Sequence, residues 1–456
     1  MAHFKIKKGM NIRLSGAPSL DVEDISSTDT VCMFPPEFLG TKPRLMVKEG
    51  DSVKRGTPLF FDKKNPAFQG CAPATGTVTT IQLGPRRVVE KIEITLDGSS
   101  EAESFPSYDV SQIRTRPRDE ILQTLQQTGY IAYLRQRPFG KMADAAVQPK
   151  AIFVNGMSTA PYRTDIVPAV EGHEAAFQAG LFALQPLTDG TVHLALPGNG
   201  RDLPSSITDV EGVDISTFDG PHPAGNTSVH IHHLDPIFPG DVVWAIDAAD
   251  VVQIGRLLLE GALPTTRVVA VGGPGVKSEA CKHYRLHVGG SLGQIVDQHI
   301  TEGTQRFIQG DLFGGAKFDE RQGLPFYVRG LTVLSEDKER LFMGWLAPGI
   351  KRFSLSRAYL SKWLRSGSEW SLGTSQNGSH RAMVLTGLYD RYMPMNIMVD
   401  YLVRAVIAND TEEAIQLGIL ETDPEDFGLC SFVCPSKMNL GHIIAQGLAA
   451  IEEEGI

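Results

Sequence analysis

Four things are scarce in this chain of 456 residues, and each absence removes a class of function. Cysteine is the first. The five cysteines, Cys32, Cys71, Cys281, Cys430 and Cys434, are an odd and scattered set. A disulfide scaffold needs dense, paired cysteines, so a reducing compartment is expected. Long apolar runs are the second. No uninterrupted stretch approaches the ~18–20 residues that a bilayer crossing requires, so any membrane association is expected to come through a partner. Positive charge is the third: 43 Lys and Arg stand against 53 Asp and Glu, a formal net charge of −10. Phosphate binding draws on concentrated Lys and Arg, so no nucleic-acid partner is expected. The marks of a secretory signal are the fourth, so none is expected at this N-terminus. Met1-Ala-His-Phe-Lys-Ile-Lys-Lys8 has no apolar core followed by a small-residue cleavage site.

The length is too great for one ordinary core and predicts three or four domains. In the first hundred residues, Val47-Lys-Glu-Gly-Asp-Ser-Val-Lys-Arg-Gly-Thr-Pro-Leu59 and Cys71-Ala-Pro-Ala-Thr-Gly-Thr-Val78 alternate apolar residues around Gly and Asp turns. That is the pattern of short strands joined tightly, and it resembles a biotinyl/lipoyl-type barrel-sandwich. Lys63 and Lys64 lie where a carrier domain presents its modified lysine. The flanking pattern of such a hairpin is missing, so the turn reads as solvated and the domain as a docking module.

From residue 118 an amphipathic helix (Ile121, Leu122, Leu125) leads through Arg135-Gln-Arg-Pro-Phe-Gly-Lys141 into an apolar strand, Ala151-Ile-Phe-Val154, and a turn from Asn155. Strand into loop is where α/β domains bind ligands. Apolar spacing predicts one helix over 167–184 and a strand over 192–196. The following Pro197-Gly-Asn-Gly-Arg-Asp-Leu203 lacks the third glycine of a dinucleotide loop and reads as a plain turn. His230, His232 and His233 invite a zinc reading. On a strand, His230 and His232 would share a face, but further ligands would have to come from elsewhere, and a polar strand end is the simpler expectation.

Residues 265–288 predict a β-hairpin around Gly273-Pro-Gly275, with a helix over 291–296 and strands through 324–334. Residues 365–379 are a polar Gly/Ser loop suited to a partner surface. The tail predicts helices over 397–408, 412–420 and 440–451, with Asp423-Pro424 between two of them.

Arg137-Pro-Phe-Gly-Lys141, Lys150-Ala-Ile-Phe-Val154, Gly220-Pro-His-Pro-Ala-Gly225, His230-Ile-His-His-Leu-Asp-Pro236, Arg391-Tyr-Met-Pro-Met-Asn396 and Leu429-Cys-Ser-Phe-Val-Cys-Pro435 together give the chain a family likeness. It resembles the A subunit of the sodium-translocating NADH:quinone reductase over nearly its whole length. More distantly it is similar to the C subunit of the Rnf complex and the flavin subunit of respiratory complex I. The resemblance implies an α/β multidomain protein: a barrel-sandwich over 1–100, a Rossmann-like α/β domain over 101–262, a β-grasp domain of the soluble-ligand-binding type over 263–335, and a region over 336–456 ending in a helical bundle.

The departures from those relatives also matter. Flavin-binding relatives carry a Gly-rich run where this chain has residues 135–141, and glycine lets main-chain N–H groups approach phosphates. Here Arg135, Gln136, Arg137 and Phe139 are expected to fill that space, and Pro138 removes a donor. Cys430 and Cys434 are two thiols where a cluster needs four. The resemblance therefore implies no tightly bound cofactor and no metal site. FMN, FAD, riboflavin and iron–sulfur centres would sit on other subunits, with ubiquinone the substrate of the complex. It implies a peripheral subunit on the cytoplasmic face of the bacterial inner membrane, seated on membrane subunits, the B subunit foremost. A quinone site needs apolar walls and a few placed donors, and two loops pair an aromatic ring with charge: Glu37, Phe38 and Leu39 in one, Arg137, Pro138, Phe139 and Lys141 in the other. A purely structural docking subunit and a flavin- or NADH-binding dehydrogenase module stand as alternatives.

Overall fold

Ala151-Ile-Phe-Val-Asn155 carries no charge, as suits a strand covered on both faces. In the computed structural model, which describes residues 2–455 except 199, 320–321, 337–342, 345, 357, 365–366 and 385, this stretch gives the fully buried strand Ile152–Asn155 in the middle of a seven-stranded sheet. Five strands run parallel, in the order Ala2–Lys5, Asp214–Asp219, Val192–Pro197, Ile152–Asn155 and Val243–Asp247. Arg135–Arg137 and Lys141–Met142 continue the sheet as an antiparallel edge. Helices Glu174–Leu184 and Ala248–Glu260 touch main chain to main chain. A Cβ on Gly180 would stand 2.2 Å from the Val251 carbonyl oxygen, and one on Gly255 1.7 Å from that of Ala176.

Two local expectations are corrected. The helix over 167–184 is two helices, Ile166–Val170 and Glu174–Leu184. Gly172 lies between them at φ +78°, a left-handed position that ends a helix. The apolar spacing runs across the break because both helices face one core. The histidine segment is the helix Thr227–Leu234, where a strand was expected. Positions two apart on a helix point to nearly opposite sides, so His230 and His232 do not share a face.

Two small sheets build the barrel-sandwich. One is Thr30–Met33, Val89–Leu96, Gly76–Leu83 and Ser52–Val53; the other is Pro43–Leu45, Pro58–Asp62 and Gln69–Cys71. Val31, Leu59, Phe60, Phe68, Val78, Ile92 and Ile94 fill the core. Lys63 and Lys64 are exposed in the turn after Asp62. The buried Asp62 carboxylate shapes that turn by accepting the main-chain N–H groups of Lys42 at 2.7 Å, Lys64 at 3.1 Å and Asn65 at 3.2 Å. The first 25 residues pair elsewhere: Ala2–Lys5 ends the seven-stranded sheet, and Val22–Ile25 runs beside Lys282–His287.

A six-stranded sheet follows, in the order Ala316–Lys317, Gln305–Gln309, Gly330–Ser335, Thr266–Gly272, Lys282–His287 and Val22–Ile25. Thr266–Gly272 and Lys282–His287 are the antiparallel pair around Gly273-Pro-Gly275, and Gly293–His299 is the helix. Within 324–334, strand begins only at Gly330. Of the polar loop over 365–379, Arg365 and Ser366 lie outside the described residues, as does Asn199 of the turn over 197–203. The tail helices Val399–Ile407, Thr411–Gln416, Gly428–Val433 and Leu440–Glu454 share a core of Val399, Leu402, Val403, Phe427, Ile444 and Ile451. Among the described residues, no helix is long and apolar enough to cross a membrane.

Candidate functional site

The chain leaves Ile152–Asn155 for Val192–Pro197 on one side, while Val243–Asp247 lies on the other. Such a reversal of strand order opens a crevice at the carboxyl ends. A cavity of about 410 Å³ lies there, with Asn155, Ala245, Ile246 and Asp247 in its wall. Leu39 from the barrel-sandwich, Phe139 from the edge hairpin and Leu448 from the last helix add apolar surface. Four arginines also line it: Arg135, Arg137, Arg163 and Arg329.

Acids answer most of this charge. Arg137 pairs with Asp423 and stands 3.9 Å from Glu425. Arg163 lies 3.5 Å from Asp247 and 3.8 Å from Glu425. Arg329 reaches Asp247 at 3.6 Å and pairs with the buried Asp250. Burial opposes the charge on Arg329, and Asp250 and Asp247 more than offset it, so its pKa is raised. Arg135 is the exception. Its guanidinium stacks 4.2 Å from the Tyr327 ring centroid, and its Nη1 is buried with no hydrogen-bond partner among the described residues. A buried donor without a partner costs about 1–3 kcal/mol. Glu425 has its pKa raised, mainly by burial and further by Asp423, against the pull of Arg163 and Arg137.

The two candidate loops thus meet. Leu39, Arg137 and Phe139 line one cavity, while Glu37, Phe38, Pro138 and Lys141 lie outside its lining. Phe38 is core, with the rings of Phe60, Phe68 and Phe326 within 5.2–5.8 Å. Pro138 is buried. Lys141 pairs with Glu452 and lies 5.5 Å from the Phe139 ring centroid. Residues 135–141 form a hairpin from which Arg135, Arg137 and Phe139 border open space, where filled space was expected. Arg163, Asp247, Arg329, Asp423 and Glu425 were missed by sequence reasoning. Asp247, at the end of the apolar strand Val243–Asp247, and the Asp423-Pro424 pair gave local signals.

Glu37 accepts the Phe326 main-chain N–H at 2.9 Å, and burial pushes its pKa from 4.5 up to about 7. The folded chain therefore holds this proton more tightly than the unfolded one. The resulting stability is complete below about pH 4.5 and is lost as pH rises to about 7. Glu37→Gln is expected to gain stability relative to the parent across that window. Melting temperatures measured at several pH values check this, and a pH-independent difference would refute it.

The histidines serve the fold. His230 is buried with Nε2 3.1 Å from the Ala224 carbonyl oxygen, and burial lowers its pKa to about 3. His232 Nδ1 lies 2.5 Å from a Glu421 carboxylate oxygen. Cys430 and Cys434 are buried, and the Cys434 sulfur is 2.9 Å from the Tyr389 hydroxyl. Among the described residues, no group of three or more His, Cys, Asp or Glu is placed to hold a metal ion.

Comparison with known proteins agrees with this architecture. Three family models match: the NqrA N-terminal barrel-sandwich hybrid domain over residues 4–97, the NqrA second alpha/beta domain over 116–263 and the NQRA C-terminal domain over 268–320. The A subunit of the Na(+)-translocating NADH-quinone reductase of Pasteurella multocida is 38% identical over 99% of both chains. Those of Alcanivorax borkumensis and Marinomonas sp. are 38% identical over 99% of this chain and all of theirs. Among solved structures, a chain of an NAD+-reducing NiFe hydrogenase in the H2-reduced state aligns over 52% of each chain at 15% identity with a TM-score of 0.35, too loose a likeness to inform the fold. Three domain models in sequence and relatives matched from end to end place this chain in the family of the Na(+)-translocating NADH-quinone reductase A subunits.

Proposed function

We propose that this chain is the peripheral A subunit of a sodium-pumping NADH:quinone reductase and that its cavity receives the quinone head group. The observation that carries this reading is one cavity at the carboxyl ends of the sheet that sets the apolar side chains of Leu39, Phe139 and Leu448 beside the guanidinium-bearing Arg135 and Arg137. A quinone carbonyl accepts hydrogen bonds of the kind a guanidinium donates, and its ring suits apolar walls. Two electrons and two protons turn a quinone into its hydroquinone. The electrons come from cofactors on other subunits, and Glu425, whose raised pKa favours its protonated form, stands at the cavity as a proton source. The chain sits on the cytoplasmic face against the B subunit in the membrane, and holds no flavin or iron–sulfur cluster of its own.

Photo-crosslinking with a quinone analogue in the assembled complex tests the reading. Label is expected on this chain, on peptides carrying Leu39, residues 135–140 or residues 423–425. Label confined to other subunits would leave this chain a docking role alone. A second reading has its own support: the cavity occupies the switch point where dinucleotides bind in such sheets, and arginines suit phosphates. Stoichiometric flavin absorption in the purified protein would favour that reading over the first.

A further inference from the structure

One stretch of the sequence is unlike the rest. From residue 340 to residue 389 the sequence holds seven Lys and Arg and a single acid, Glu369, in a chain whose net charge is −10. Sixteen large apolar side chains are exposed among the described residues, and six of them fall within residues 343–364. They are Met343, Leu346, Ile350, Leu360, Trp363 and Leu364, and Trp363 is 76% exposed. Lys351 and Lys362 are exposed among them.

This excursion is fastened on its inner side. Phe353 packs against Trp370 and Phe432, with ring centroids 5.7 and 5.9 Å away, and Leu355 packs against the core of the tail helices. It is also braced within itself. Arg352 donates to the Gly344 carbonyl at 2.8 Å, the Leu360 N–H to that of Pro348 at 3.0 Å, and the Ser361 hydroxyl to that of Arg352 at 2.6 Å. The apolar residues left outside therefore have no place in the chain's own core. Burying them needs another surface, and the charge beside them says which kind.

We propose that the face carrying Met343, Leu346, Ile350, Leu360, Trp363 and Leu364 lies on the membrane surface, with Trp363 and Leu364 entering the interface and Lys351, Arg352 and Lys362 meeting anionic lipid headgroups. Exposed Trp and Leu beside lysine and arginine are what an interfacial segment presents to a bilayer. An acidic protein approaching an anionic leaflet needs a local reversal of its charge, and each basic residue near that surface strengthens partitioning about fivefold. The chain then touches the membrane directly, beyond any contact made through a membrane-spanning partner. Membrane contact here does not depend on where quinone binds.

Sedimentation of the full chain with vesicles of phosphatidylglycerol or of phosphatidylcholine alone tests it. Binding is expected only to the anionic vesicles and is expected to fall as salt rises. Lys351→Glu with Lys362→Glu should weaken it by about 25-fold or more, and Trp363→Ser with Leu364→Ser should abolish it. Because all four side chains are exposed, both variants should melt like the parent. Equal binding to both vesicle types would overturn the proposal, as would unimpaired variants. So would an absence of vesicle binding alongside variants that no longer join the membrane subunits, which would assign the patch to a protein partner.

Discussion

Asp250→Ala is expected to cost this chain about 3–5 kcal/mol of stability. The carboxylate is wholly buried on the helix Ala248–Glu260. One oxygen accepts from Arg267 Nη2 and the other from Arg329 Nε, each at 3.1 Å. Arg267 lies on Thr266–Gly272, and Arg329 immediately precedes Gly330–Ser335, two adjacent strands of the six-stranded sheet. One acid thus ties that sheet to a helix of the α/β unit, and alanine would leave the buried Arg267 without its carboxylate partner and Arg329 with Asp247 at 3.6 Å in place of its closest one. Removing a partner from a buried pair costs far more than the pair itself is worth. Arg114 and Glu211, 2.9 Å apart, are the contrast: both are more than half exposed, and Arg114→Ala should cost less than about 1 kcal/mol. Denaturant midpoints of the two variants decide the matter. Equal losses would mean that the Asp250 network does not join the units.

Much of this architecture is legible in the residues. The strand at 152–155 declares itself because nothing in it is charged, and the barrel-sandwich because its turns are spelled in Gly and Asp. The errors have physical causes. An apolar stripe that continues through Gly172 hides a break, since helices on either side of it can face the same core. His230 to His233 alternate like a strand, yet the segment is wound as a helix. The cavity was the hardest part to read. Arg137 and Asp423 are 286 residues apart, and the Asp423-Pro424 pair that reads as punctuation also supplies the wall of the site. Arg135 and Phe139 were visible, but their bulk pointed to a filled pocket. Side-chain size says nothing of direction, and on the hairpin these residues border the space without closing it.

A part in quinone reduction requires that this space accept a quinone. Arg135→Ala removes a guanidinium from the cavity lining, and a hydrogen bond from a charged group is worth about 1.5–3 kcal/mol, so affinity should fall by about 10- to 150-fold. Phe139→Ala removes an apolar wall and should weaken binding by about tenfold. Lys141→Ala is the control, since Lys141 lies outside the lining and its pair with Glu452 is partly exposed; it should bind like the parent. The decisive measurement is therefore titration of ubiquinone into the purified protein and these three variants. Saturable binding weakened by Arg135→Ala and Phe139→Ala and kept by Lys141→Ala is the predicted result. No binding by the parent, or equal affinity in all four proteins, would contradict it.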